Sequence, residues 1–301
     1  MAHGSTKLIL VSLGANLGIA AAKTVAAVIT HSGAMLAEAL HSFSDCINQL
    51  LLLVGNKQAQ KPPSDEFPLG HGRASYFWSF VVALMLFFGG GMVAIWEGVE
   101  KVRHPEAVHH VAVALGVLVF SLVLEGLSLV ACVKAIREEA AGRGLVQTLR
   151  ETKNADIVVV TGENFAAVLG LSLALIFLVL TWVTGNGLWD GVGSIAIGVV
   201  LVGVAFFLAR ESQSLLLGER AEPEVEAAVR EALAEDPRIG PLLRILSIQQ
   251  GPGEVVLAMK VGVRAEVPGG ELVTAINEFE QRVRARRPEV RWQFVEPDSE
   301  A

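Results

Sequence analysis

The sequence predicts a membrane all-α bundle of six helices followed by a small α+β domain at the C-terminus. Of its 301 residues, 52% are hydrophobic and 18% are charged, whereas soluble domains carry about 25% charged residues. The mean hydropathy is +0.51. A membrane-spanning helix needs about 20 mostly apolar residues, and about six such runs precede residue 211. Beyond it, charges recur every few residues among short apolar runs, which is typical of a soluble domain.

The six apolar runs are the candidate transmembrane helices. They extend from Leu8 to Thr30, Ala34 to Val54, Tyr76 to Trp96, Val111 to Ala135, Ile157 to Thr181 and Gly187 to Ala209. The first run is long and lacks an obvious cleavage site, so we expect a permanent span rather than a signal peptide. We therefore expect a transmembrane domain over residues 1–211 and a cytoplasmic domain over residues 212–301.

The loops between the runs predict the orientation in the membrane, because loops rich in Lys and Arg stay in the cytoplasm. The basic residues of the second and fourth loops are Lys57, Lys61, Arg73, Lys134, Arg137, Arg143, Arg150 and Lys153. The third loop carries only Lys101 and Arg103, and the first and fifth carry no Lys or Arg. Both termini are therefore expected to be cytoplasmic.

The C-terminal segment has the pattern of a helix, two strands, a second helix and a third strand. Pro223 begins the first helix, and Asp236 with Pro237 ends it. The runs "LRILSIQQ" and "EVVLAMKVGVRAE" flank a Gly-Pro-Gly turn, as paired strands do. A helix near Glu271 to Arg286 and the run "VRWQFVE" complete a sheet with helices on one face.

Composition and motifs exclude several classes of function. The net charge of −7 gives no support to nucleic-acid binding. Cys46 and Cys132 are both within predicted spans and are expected to be packing residues rather than a disulfide. An intramembrane metalloenzyme would need a positioned general base, and no HExxH or related pattern occurs. We therefore do not expect an enzyme.

The second span carries polar residues at helical spacing. Glu38, His41, Asp45 and either Asn48 or Gln49 share one face of it. Ionisable groups within a bilayer are costly and usually face the interior of the bundle. A neutral imidazole and a carboxylate on successive turns can hold a divalent ion, and zinc, cobalt, iron and manganese are all chemically plausible. The alternative is that the polar face only makes hydrogen bonds between helices.

Other spans add polar residues that belong with this face. Lys23 of the first span is expected to pair with an acidic group, either Glu38 or Glu125. The fifth span contains Glu163 and Asn164 in "VVVTGENFAAVLG", at a depth that a shared site would require.

Three stretches resemble the cation diffusion facilitator family. They are "HSGAMLAEALHSFSDCINQLLLLVG", "PLGHGRASYFWSF" and "ENFAAVLG", and the first two matches are long and specific. The resemblance covers nearly all of the chain. It implies a dimeric exporter of divalent metal driven by proton exchange, with a ferredoxin-like C-terminal domain that holds the protomers together. It implies no prosthetic group, and the partners would be a second copy of the chain, the metal ion, protons and the lipid bilayer.

The resemblance also implies a transport site, with His41 and Asp45 as metal ligands from the second span. Asn164 stands where the family usually has an aspartate, and an amide oxygen can coordinate a metal without adding charge. Glu163 lies about 100° around the helix from Asn164, so it reaches the site only if the helix is rotated or locally unwound. We therefore expect the metal site to comprise His41, Asp45, Asn164 and Glu163.

Two questions stay open at this point. The expected function is proton-coupled efflux of a divalent metal, with zinc foremost and cobalt, iron or manganese as alternatives. The other interpretation is a transport-impaired relative that serves as a membrane scaffold or metal-responsive partner. The short loops and the lack of a long N-terminal extension favour a bacterial inner membrane.

Overall fold

A computed structural model gives the fold and describes residues 2–139, 144, 153, 155–264 and 266–298. They form two compact units. The first contains the described residues within 1–54, 78–150 and 156–211, and the second contains those within 55–77, 151–155 and 212–301. The boundary between residues 211 and 212 stays a prediction. Arg143 and Arg150, which contribute to the predicted orientation, lie outside the described residues.

All six predicted apolar runs are helical, as expected. The helices are α1 (Ala2–Thr30), α2 (Gly33–Ala59), α3 (Ala74–Met85), α4 (Val93–Arg103), α5 (Val111–Glu139), α6 (Ala155–Thr184) and α7 (Leu188–Leu217). A π-helical segment, Leu86–Met92, joins α3 to α4 within the third run. None of these helices contains proline, which would remove a backbone hydrogen bond, and Pro62 and Pro105 follow α2 and α4.

Several helices are suited to a membrane. Within the described residues, four helical stretches are long and apolar enough to cross one: Ala74–Arg103, Val111–Lys134, Ile157–Thr184 and Leu188–Leu217. The apolar stretch of α1, Asn16–Thr30, is shorter. α2 is less apolar because it carries polar residues along one face. The protein is a membrane protein with a helical bundle, and the crossing of the membrane by all six helices stays a prediction.

Glycines allow the π-helical segment and α4 to approach α7 closely. A Cβ atom placed on Gly98 would lie 2.7 Å from the carbonyl oxygen of Gly191, and one placed on Gly198 would lie 2.7 Å from that of Gly91. Both distances are too short for a real Cβ atom. The backbone at Gly98 and Gly91 is therefore in van der Waals contact with the backbone of α7. Small residues at membrane helix interfaces permit this kind of packing.

The C-terminal segment has the predicted order of elements. They are α8 (Pro223–Ala234), β1 (Ile239–Gly251), β2 (Glu254–Val263), α9 (Gly269–Arg286) and β3 (Val290–Asp298). The strand order is β1-β2-β3, with β1 antiparallel and β3 parallel to β2. Val229 of α8, Leu257 of β2 and Phe279 of α9 are fully buried in one core. This is a small domain of helices on a sheet, and its assignment as ferredoxin-like stays a prediction.

Asp236 links the start of β1 to α9. Its buried carboxylate accepts hydrogen bonds from Arg238 Nε and Nη2 at 2.9 and 2.7 Å and from Arg282 Nη2 at 3.1 Å. The hydrogen bonds from Arg238 make the largest contribution in holding the pKa of Asp236 well below its ordinary range.

Asp236→Asn is expected to destabilise this domain. Loss of hydrogen bonds to a charged group costs about 1.5 kcal/mol or more, so amides of β1 and α9 should exchange with solvent about tenfold faster in the full-length protein. Because the pKa is depressed, the stabilisation is fully present above the ordinary aspartate pKa of about 3.9 and is lost as the pH falls through the lower value of the folded state.

Hydrogen exchange with mass spectrometry at neutral pH measures this effect. Arg230→Gln is the control, since it removes only an exposed ion pair with Glu226 on α8. Equal exchange rates in the wild type and in Asp236→Asn would contradict the role given to Asp236.

Candidate functional site

The polar face of α2 points into the first unit. Glu38, His41 and Asn48 are fully buried, and the side chain of Asp45 is 16% exposed. The opposite face carries Phe43, which is 52% exposed. The spacing of three and four residues that aligns the polar groups on one side thus also directs them inward.

Lys23 of α1 pairs with Glu38. Its Nζ lies 3.1 Å from Glu38 Oε2 and donates a second hydrogen bond to Ser42 Oγ at 2.8 Å. Both charged side chains are completely inaccessible to solvent. Of the two acidic partners that the sequence allowed, Glu38 makes the contact, and the ion pair attaches α1 to the polar face of α2.

His41 and Asp45 lie on successive turns of α2, as their spacing predicts. Nδ1 of His41 is 3.6 Å from Oδ1 of Asp45, which is too long for a hydrogen bond. Three buried atoms here have no hydrogen-bond partner within the described part of the chain: Nδ1 and Nε2 of His41 and Oδ1 of Asp45. Buried polar atoms are rarely left in this state, so they are available for a ligand.

The fifth predicted span, α6, brings Glu163 to this face. Nδ2 of Asn48 donates a hydrogen bond of 2.6 Å to Glu163 Oε1, and the Glu163 side chain is buried. α6 is continuous from Ala155 to Thr184, so Glu163 reaches α2 through the rotation of the helix and not through local unwinding. Asn164 instead donates hydrogen bonds to Val160 O at 2.8 Å and to Cys132 Sγ at 3.4 Å.

Two glycines of α6 lie against side chains of α2 and α7. A Cβ atom on Gly170 would lie 2.6 Å from Glu38 Oε1, and one on Gly162 would lie 3.0 Å from a methyl group of Leu208 on α7. A larger residue at Gly170 would have to displace the end of the Glu38 side chain, and one at Gly162 would have to displace a methyl group of Leu208. The glycines therefore leave room for these two side chains beside α6.

The four candidate residues are not all equivalent in the structure. His41 and Asp45 are neighbours, Glu163 is held to the same helix by Asn48, and Asn164 turns toward α5. Glu125 of α5 adds another carboxylate, which interacts electrostatically with His41, Asp45 and Glu163. No group of three or more His, Cys, Asp or Glu side chains close enough to hold one metal ion occurs among the described residues.

Sequence analysis missed Asp190, which fixes one end of α2. Its buried carboxylate accepts hydrogen bonds from Ser32 Oγ and from the backbone N–H groups of Gly33 and Ala34. These backbone groups belong to the first turn of α2 and have no partner within the helix. Lys101 Nζ lies 3.3 Å from Asp190 and also donates to the carbonyl of His31. An acidic residue in the first turn of α7 was visible in the sequence, but its partner on another helix was not.

Comparisons with known proteins agree with the resemblance seen in the sequence. Residues 9–217 match the family model described as the cation efflux transmembrane domain. The human protein named proton-coupled zinc antiporter SLC30A9, mitochondrial, is 31% identical over 274 residues, which cover 90% of this chain and 47% of the human protein.

Two further relatives extend the comparison. Metal tolerance protein C4 of Arabidopsis thaliana is 30% identical over 226 residues, covering 74% of this chain and 49% of the plant protein. The uncharacterized transporter MJ0449 of Methanocaldococcus jannaschii is 24% identical over 282 residues, covering 93% of this chain and 92% of that protein. The chain spans about half the length of the human and plant relatives.

Proposed function

Because the chain belongs to the cation diffusion facilitator family, whose members are transporters and not enzymes, we propose that it exports zinc from the cytoplasm in exchange for protons. The observation that carries this proposal is the buried pair of His41 and Asp45, whose facing atoms have no hydrogen-bond partner within the described residues. A neutral imidazole and a carboxylate are a suitable ligand pair for zinc. Cobalt, iron and manganese remain alternatives, since affinity alone does not set selectivity.

The ligand chemistry supplies the coupling to protons. His41 must be neutral and Asp45 ionised to bind a cation, so metal and protons compete for the same atoms. Glu163, held in place by Asn48, adds negative charge from the facing helix, and we assign it a supporting role beside the His41–Asp45 pair rather than that of a third ligand. In this scheme Asn164 is a neighbour of the site. Rocking of helices around a central site then exposes it to one side of the membrane at a time.

The names of the relatives support this assignment. The human relative is named as a proton-coupled zinc antiporter and the plant relative as a metal tolerance protein. The relatives named as mitochondrial, together with the archaeal one, give no support to the bacterial inner membrane expected from the sequence. We propose that the protein works as a homodimer with cytoplasmic termini.

Transport into proteoliposomes that contain a metal-sensitive dye tests the proposed function. We expect zinc uptake that increases with an opposing pH gradient, and comparison with cobalt, iron and manganese ranks the cations. Folded protein that transports none of the four metals would contradict the proposal.

A scaffold without transport activity is the second candidate, and the position of Asn164 favours it. Its amide is turned toward Val160 and Cys132 and contributes no charge. Asn164→Asp separates the two functions. A transporter should change its metal affinity or selectivity when a carboxylate is added one residue from Glu163, whereas a scaffold should be indifferent.

Glu163 and Asn164 form a matched pair of neighbours for a third test. Glu163→Gln is expected to lower zinc transport by about tenfold or more, because changes next to a metal ligand cost about 10–100-fold. Asn164→Ala should have little effect, since its hydrogen bonds are to a backbone carbonyl and to Cys132. The initial rate of zinc uptake measures both, and a larger loss in Asn164→Ala would refute the assignment of Glu163.

A further inference from the structure

Histidines are concentrated at one end of the bundle. The chain contains seven histidines, and four of them lie in two loops: His31 between α1 and α2, and His104, His109 and His110 between α4 and α5. Both loops are on the side opposite to the Lys- and Arg-rich loops, which is the predicted extracytoplasmic side. The residue types that bind zinc most readily are thus present where an exported ion would leave.

Two of these histidines face each other. The ring centroids of His31 and His109 are 6.2 Å apart, with an angle of 85° between the ring planes. Both side chains are exposed. They are therefore accessible to an ion in solution and can adjust their side-chain angles.

Backbone contacts hold the two loops together. The N–H of His109 donates to the carbonyl of Thr30 at 2.8 Å, and Lys101 Nζ donates to the carbonyl of His31. His31 has a φ of +55°, an uncommon conformation for a residue other than glycine. The turn that directs the His31 ring is thus fixed by its connection to the other loop and to α4.

The spacing of the rings fits a shared ion. With Zn–N distances of about 2.1 Å and a tetrahedral angle, two imidazoles on one zinc ion have centroids about 5 Å apart. The observed 6.2 Å exceeds this by about 1 Å, which a small side-chain rotation covers.

The basic side chain that contacts His31, Lys101, is paired with a carboxylate. The ammonium group of Lys101 is paired with the carboxylate of Asp190 at 3.3 Å. His104, in the same loop as His109, has its Nε2 3.7 Å from Glu100 Oε1. The net charge contributed by the Lys101–Asp190 pair is zero, so an approaching divalent ion meets no unbalanced positive group from it.

We propose that His31 and His109 form a two-imidazole binding site for the divalent cation as it leaves the protein. His31 lies ten residues along the chain from His41, and the part of α2 from Gly33 to His41 is about 12 Å long. Water completes the coordination, so binding is weak, and weak binding suits an exit site because the ion must leave again. The role of this site in the exit of the ion rests on the proposed function, whereas the pairing of His31 with His109 does not.

Zinc chloride and full-length protein in detergent test the site without transport. Equilibrium dialysis should show one weakly bound zinc ion per chain fewer in His31→Ala and in His109→Ala than in the wild type. His104→Ala is the matched control, because it removes an exposed histidine from the same loop and should bind as the wild type does. In the wild type, zinc should also protect His31 and His109, but not His104, from modification by diethylpyrocarbonate.

The outcomes separate this inference from the proposed function. Unchanged zinc binding in His31→Ala and His109→Ala, an equal loss in His104→Ala, or no selective protection in the wild type would overturn the exit site. The protection experiment needs no substitution and so decides the question even where a variant fails to fold. Lost binding in both variants, from a wild-type protein that does not transport metal, would support the site and overturn the proposed function alone.

Discussion

Asp45→Ala and His41→Ala are each expected to abolish zinc-dependent proton exchange in proteoliposomes. The two side chains are the adjacent ligand candidates on α2, at 3.6 Å from each other. Removal of a direct ligand should exceed the cost of about 10–100-fold that follows changes around a ligand. The measurement is the zinc-induced pH change inside the vesicles, recorded together with zinc uptake.

Controls for this experiment come from the same chain. Asp65→Ala removes a carboxylate from an exposed loop position, and His104→Ala removes an exposed imidazole. Both control variants should exchange protons for zinc at the rate of the wild type when equal amounts of protein are inserted. If both α2 variants still exchanged protons for metal, the intramembrane His/Asp site would be wrong.

Lys23→Met is expected to produce the largest loss of stability. Lys23 and Glu38 are completely buried and 3.1 Å apart, and removal of one partner leaves an uncompensated charge away from water. Breaking a buried ion pair in this way costs about 3–5 kcal/mol. The melting temperature of the detergent-solubilised protein should fall accordingly, as measured by intrinsic fluorescence.

A double variant identifies the cause of that loss. Adding Glu38→Gln to Lys23→Met removes the remaining charge and should recover much of the melting temperature. Lys134→Met, at an exposed position on α5, serves as the control and should leave it unchanged. An equally low melting temperature in the double and single variants would indicate that packing, and not the unpaired charge, is responsible.

The helices were predictable because each depends on local sequence. Long apolar runs without proline define all six, and Pro223 and Pro237 bound α8 closely. The strands follow from short apolar runs separated by the turn at Gly253, whose φ is +68°. The parallel pairing of β3 with β2 could not be read from the sequence, since it depends on how α9 returns the chain to the sheet.

The candidate site was predictable only where its residues belong to one helix. The spacing of His41 and Asp45 fixes their common face, whatever the rest of the bundle does. Which of Glu163 and Asn164 faces α2 depends on the rotation of α6, which the packing of the bundle sets. Neighbouring residues of a helix point about 100° apart. A single sequence does not show which of them faces the other helices.

The hydrogen bonds from Gly33 and Ala34 to Asp190 anchor the first turn of α2. A helix held at its first turn can tilt more easily than it can slide along its axis. His41 is eight residues beyond Gly33, or about 12 Å along the helix, so a tilt of about 10° moves it by about 2 Å. Metal coordination tolerates errors of only about 0.2 Å in ligand distance. A small pivot about the anchored turn would therefore be enough to change the distances between the candidate ligands of α2 and Glu163 of α6.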